Sequence, residues 1–263
     1  MTDVAQAARA VLLSVEPYAK VRAARAAARN WRLGRLEYGF SAAMPDRPAR
    51  PVRPELLPPN RMPKRGRMGS DASRVAMIHA LAHIEFVAID LAFDLVGRFG
   101  AHFPPRFVDD WMRVGADEAM HFALLDRRLR ALGSHYGALP AHDGLWQAAG
   151  ETAHDPLARL AVVPMVLEAR GLDITPATIE RFQSVGDRPT ARILERILID
   201  EERHVRAGTL WFLHGCESAG LDPVSTWREL VARHFRGALK PPFNDSARAR
   251  AGLTRDFYMV GCH

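Results

Sequence analysis

Two stretches decide the fold: Asp117-Glu118-Ala119-Met120-His121 and Asp200-Glu201-Glu202-Arg203-His204. Each holds Glu-x-x-His, and residues three apart share one face of a helix. The motif alone is weak. With 13 Glu and 11 His in 263 positions, about half a match is expected by chance. A third match, Glu151-Thr152-Ala153-His154, lies in a connection without an apolar stripe and reads as accidental. The other two differ in their frame. One stripe runs Trp111, Val114, Glu118, His121, Leu125; the other runs Leu194, Ile197, Glu201, His204, Gly208, Trp211. Both step by three and four, and both place an acid and an imidazole where apolar residues belong. A lone ionised Glu at a buried position costs several kcal/mol unless it is paired or bound to a cation.

Working outward, two further segments each carry one acid on an apolar face. Their stripes are Ile78, Leu81, Glu85, Ile89, Ala92 and Leu157, Ala161, Pro164, Glu168. The spacing repeats: Glu85 to Glu118 and Glu168 to Glu201 are both 33 residues. In an antiparallel helix pair, residues equidistant from the turn lie at one level. The first midpoint falls beside Gly100 and the second just before Gly186, both turn positions. Caps and breakers set the helix ends. Ser70 or Asp71 opens the first long helix, ending at Phe99, and Pro104-Pro105 opens the second, ending near Leu132. Asp155-Pro156 opens the third, to about Arg170, with a break at Gly171 and a short continuation after Pro176. The fourth follows Gly186-Asp187-Arg188-Pro189 and reaches Ser218. Almost nothing alternates with period two, so the chain is expected to be all-α. Two short turns and one long connection, 134–154, suit a four-helix bundle with one long crossover.

The rest of the chain frames that bundle. Residues 3–30 read as one helix rich in Ala and Arg, and 43–69 as an extended arm in which prolines interleave with basic residues. The expected division is 1–68 for helix and arm, 69–240 for the bundle with a C-terminal helix after Pro223, and 241–263 for an irregular tail. Net charge is +6, which permits an anionic partner without demanding one. The arm's Arg47, Arg50, Arg53, Arg61, Lys64, Arg65 and Arg67 lack interleaved aromatics, which disfavours nucleic acid, tRNA included. Cys216 and Cys262 form no CxxC pair, so thiolate zinc and a disulfide framework are not expected. No run is read as a membrane span or signal peptide, and a cytoplasmic protein is expected, with homo-oligomers left open.

Four carboxylates and two imidazoles, Glu85, Glu118, His121, Glu168, Glu201 and His204, suit two iron or manganese ions, or one of each. Asp117 and Asp200 are expected to orient His204 and His121 across the bundle. His79 and His83 share a face off the Glu85 stripe and read as packing or surface residues. Arg170 and Arg203, beside the site residues, read by default as salt-bridge partners. Pro164 is expected to kink its helix.

The segments His83-Ile84-Glu85, Asp117 to His121, Leu167-Glu168-Ala169-Arg170-Gly171-Leu172-Asp173 and Asp200 to Val205 resemble the ferritin-like di-iron carboxylate superfamily. More closely, the chain resembles the bacterial ferritin-like family called domain of unknown function 455. By that resemblance Glu118 and Glu201 would bridge two metal ions, Glu85 with His121 completing one and Glu168 with His204 the other. The metal centre itself would then be the catalytic group of an O₂-dependent oxidoreductase or hydroxylase acting on an unknown small molecule, held beside Met120, Phe122 and Val205. The alternatives are a metal-handling protein, for iron oxidation, storage or peroxide removal, and a metal-free structural bundle.

Overall fold

A computed structural model describes residues 2–62 and 70–259. The arm's Lys64, Arg65 and Arg67, its end at Gly69 and the second cysteine, Cys262, lie outside the described residues. The fold is all-α; among the described residues there is no strand, only two isolated bridges. Eleven α-helices are described: α1 Val4–Leu12, α2 Pro17–Arg32, α3 Asp71–Phe99, α4 Pro105–Ala131, α5 Gly144–Glu151, α6 Pro156–Val162, α7 Ala169–Ser184, α8 Arg188–Ala219, α9 Pro223–His234, α10 Asp245–Arg250 and α11 Arg255–Tyr258. The chain divides into two compact units, 1–146 with 181–193, and 147–180 with 194–263.

In the first unit, α3 and α4 pack along their length, joined by a single tight turn at Gly100–His102. Their approach depends on small residues: a Cβ on Gly115 would sit 2.5 Å from the Phe93 ring. Helix α1 lies on α3, and α2 lies on α4. The expected single N-terminal helix is two, because Pro17 at the first turn of α2 offers no N–H to continue α1. Asp3 caps α1 in a reciprocal box with Gln6.

The Pro-rich arm, as far as Met62, is packed on this unit. Ala49 N donates to Leu12 O at 2.8 Å, and Leu57 N and Ala141 N pair with the Ala141 and Glu55 carbonyls at 2.8 and 2.9 Å. Met44 fills the space over Gly97, where a Cβ would fall 2.3 Å from its sulfur. Arg47 pairs with Asp143 and Arg50 with Asp90, so these two basic groups are internal ties.

In the second unit, α6 continues without interruption into a π-helical turn, Val163–Glu168, and then into α7. Pro164 cannot donate to the preceding turn, and the helix widens there rather than merely kinking. The expected break at Gly171 does not occur: buried Ala169 and Leu172 hold α7 through Gly171, and Pro176 lies inside it. Helix α9 packs on α6 and on α11. The tail is less irregular than expected, since α10 and α11 bury Ala247, Arg248, Phe257 and Tyr258. The connection 134–154 likewise contains α5.

One segment, Asp71–His102, is long and apolar enough to cross a bilayer, contrary to the reading that none approaches this. Its apolar window is 67% buried inside the protein, so its hydrophobicity serves packing and no membrane span is evident.

Candidate metal centre

The level argument for the first helix pair holds. Glu85 on α3 and His121 on α4 meet, with His121 Nδ1 3.1 Å from Glu85 Oε2. Glu118, one turn before His121, brings Oε2 to 3.4 Å of the same nitrogen. All three are buried. Burial, then the neighbouring Glu118 charge, holds the Glu85 carboxyl well above its ordinary 4.5; the His121 contact offsets only part of this. Two carboxylates so placed cannot both be ionised cheaply without a cation.

In the second unit, α8 carries Asp200, Glu201 and His204, all buried. His204 Nδ1 lies 3.6 Å from Glu201 Oε1. Glu168 is half-buried and closes the π-helical turn. Such turns recur at functional sites because they re-aim side chains. Glu85, Glu118 and His121 make up a buried group within the first unit that can hold a metal ion; each offers a ligand atom, and these atoms lie within 4.8 Å of one another. Glu168, Glu201 and His204 belong to the second unit.

The flanking residues sort differently. Asp200 accepts from Arg196 Nε at 2.7 Å and Arg203 Nη2 at 2.5 Å. Asp117 is half-buried and borders a groove with the arginines of α2. Arg170 donates to Lys240 O at 2.7 Å and Pro242 O at 3.0 Å, which pins the C-terminal segment. His79 Nε2 accepts from Gly137 N at 2.9 Å, a packing role as read. Phe122 joins an aromatic cluster with Phe86 and Tyr136, centroids 5.1 and 5.0 Å away. The third motif match is at the surface: Glu151 pairs with Arg236, and His154 faces the His234 ring at 5.5 Å.

Two features escaped the sequence reading. Lys20 and Asp90, fully buried, form an ion pair joined by Arg50 at 3.1 Å. The only trace in sequence is Asp90 and Asp94 interrupting an apolar helix. His83 Nδ1 pairs with the Tyr136 hydroxyl at 2.9 Å, a contact across 53 residues that no local pattern marks.

Comparison with known proteins agrees with the closer of the two resemblances. Residues 13–259 match the model of a family described as "Protein of unknown function (DUF455)". An uncharacterized protein of Haemophilus influenzae is 40% identical over 211 residues, covering 78% of this chain and 73% of that protein. No solved structure matches. A family match over nearly the whole chain and a relative this similar place the protein in the DUF455 family, whose function is unknown.

Proposed function

We propose that the protein is a dinuclear metal carboxylate protein built on a ferritin-like four-helix bundle, and that it catalyses an O₂-dependent oxidation of a small molecule. The observation that carries this is the meeting of two buried glutamates with one histidine, where burial already opposes ionisation of Glu85. The donor set fits iron or manganese: carboxylate oxygens and imidazole nitrogen are hard to borderline ligands. Glu85, Glu118 and His121 would hold one ion, and Glu168, Glu201 and His204 a second. Iron held there would supply the redox equivalents for an O₂-dependent oxidation. The chain's own residues hold charge and exclude water. The apolar side chains around the acids keep them dry, which strengthens every charge interaction there. His121 is fixed on a helix face one turn from Glu118, so both ligands arrive preoriented. Asp200, held by Arg196 and Arg203, braces the α8 turn that bears Glu201 and His204.

Metal analysis of the purified chain after reconstitution with iron and with manganese tests the reading. Two ions per chain are expected in the wild type, and loss of both in Glu118→Ala and Glu201→Ala. A wild type that stays metal-free sinks it. That result would favour a second reading, a structural hydrogen-bonded network, which the direct His121–Glu85 contact of 3.1 Å supports. Enzyme and store are separated by adding O₂ to the reduced iron protein and following substrate-dependent turnover against mere iron oxidation.

A further inference from the structure

The arm that crosses the first unit also walls a cavity of about 550 Å³. Arg50, Arg53 and Glu55 line it from the arm, His83 from α3, and Tyr136 from the segment after α4. All lie within the first unit. The volume falls in the range of small-molecule sites.

Its polar groups have capacity to spare. His83 Nδ1 and the Tyr136 hydroxyl share one hydrogen bond of 2.9 Å. A neutral imidazole has one N–H and a phenol one O–H. Only one of these fills the shared bond. If the phenol donates, Nε2–H is left over; if the imidazole donates, the phenolic O–H is left over. His83 Nε2 is buried and makes no aligned hydrogen bond to the protein, although the His142 backbone lies within weak hydrogen-bonding reach of the imidazole ring. Arg50 is in the same position. Its contact with Asp90 Oδ2, 3.1 Å, is an ion pair, yet neither terminal nitrogen makes an aligned hydrogen bond. Asp90 gives its other oxygen to Lys20. Two cations therefore share one carboxylate, and Arg53 and Glu55 both line the same cavity, so the formal balance of these five groups is one positive charge.

We infer that this cavity binds the oxyanion head of a small molecule, a carboxylate or a phosphate, with Arg50 supplying the charge and the His83–Tyr136 pair one hydrogen-bond donor. An oxyanion satisfies the spare donors and the excess charge together, which a neutral ligand does not. The inference stands apart from the metal centre and needs no metal for its test.

The probes are inorganic phosphate, acetate and succinate, each titrated into the full-length chain at constant ionic strength, with chloride as the control. The readout is the ring ¹⁵N resonances of His83, assigned by their loss in His83→Gln. A saturable shift with phosphate alone points to a phosphorylated ligand, with the carboxylates alone to a carboxylic acid, and with both to a general oxyanion pocket; each supports the inference. Arg50→Gln weakens the affinity about tenfold or more. If Arg50→Gln fails to fold, Arg53→Gln, whose side chain makes no buried ion pair, decides in its place and weakens binding several-fold. No saturable shift, the same shift with chloride, or unchanged affinity in the deciding variant overturns the inference.

Discussion

Gly208 on α8 lies so close to Pro164 that a Cβ on the glycine would sit 2.3 Å from the proline Cβ and 2.5 Å from its Cγ. The π-helical turn is seated directly on α8 here, four residues beyond His204 and four before Glu168. The proline ring is rigid and cannot swing away as a long side chain would. Gly208→Ala is therefore expected to destabilise the protein by about 1–3 kcal/mol, the usual cost of overpacking. Displacing this turn also displaces Glu168, so metal content should fall with it. Urea unfolding and metal analysis of the same sample check both. A stable variant with full metal content would mean that the seat is not tight.

Much of this was legible in the sequence because the long helices advertise themselves locally. The stripes of α3 and α4, the Ser70 cap and the two turn positions put Glu85 and His121 at one level, and the side chains meet there. What was not legible depends on contacts remote in sequence. Lys20 finds Asp90 across 70 residues, and neither position marks the other. Gly171 and Pro176 look like breaks because intrinsic propensity says so; packing of their buried neighbours prevails. The Ala/Arg run hid the boundary at Pro17, although proline at a first turn is itself a start signal.

Asp126 predicts how acid destabilises the first unit. The Tyr18 hydroxyl donates to Oδ2 at 2.6 Å, the Tyr136 amide to Oδ1 at 2.8 Å and Arg130 Nε to Oδ2 at 2.9 Å. Burial acts to raise the Asp126 carboxyl, but these donors outweigh it and hold it below the usual 3.8. A carboxyl depressed in the folded state binds fewer protons than in the unfolded chain. Its contribution is thus present above the unfolded value and lost as pH falls through the folded one. Asp126→Asn should cost about 1–3 kcal/mol at neutral pH. It should also flatten the decline of stability below about pH 4. Denaturant unfolding across that range measures both; parallel profiles would contradict the assignment.

Arg248 ties the C-terminal helices to α7. Its Nε and Nη2 reach Asp173 Oδ1 and Oδ2 at 2.8 and 2.7 Å, both side chains almost wholly buried. The guanidinium also lies over Tyr258 at 4.5 Å and Phe243 at 5.0 Å. Arg248→Ala leaves Asp173 a buried, half-satisfied charge and should cost about 3–5 kcal/mol. Arg248→Lys should recover little, since an ammonium offers neither the planar fork nor the stacking surface. Limited proteolysis should release the segment after α9 in both variants. Full rescue by lysine would show that charge alone matters.

The three Glu-x-x-His matches separate by surroundings, and that separation can be measured. Glu118 is buried beside Glu85 and His121, whereas Glu151 ends the short helix α5 and holds Arg236 at 2.6 Å with both side chains largely in water. An exposed pair of this kind is worth about 0–1 kcal/mol, screened further by salt. Glu151→Ala should therefore leave metal content at the wild-type value and shift the unfolding midpoint only slightly. Glu118→Ala removes a carboxylate from the buried group proposed to hold metal and should empty it. The metal-free Glu118→Ala chain should nonetheless stay folded, because it sheds the carboxylate that, after burial, does most to raise Glu85. Parallel metal analysis and thermal unfolding of the two variants decide this. Equal metal loss in both would mean that the shared spacing, and not the buried stripe around it, governs binding.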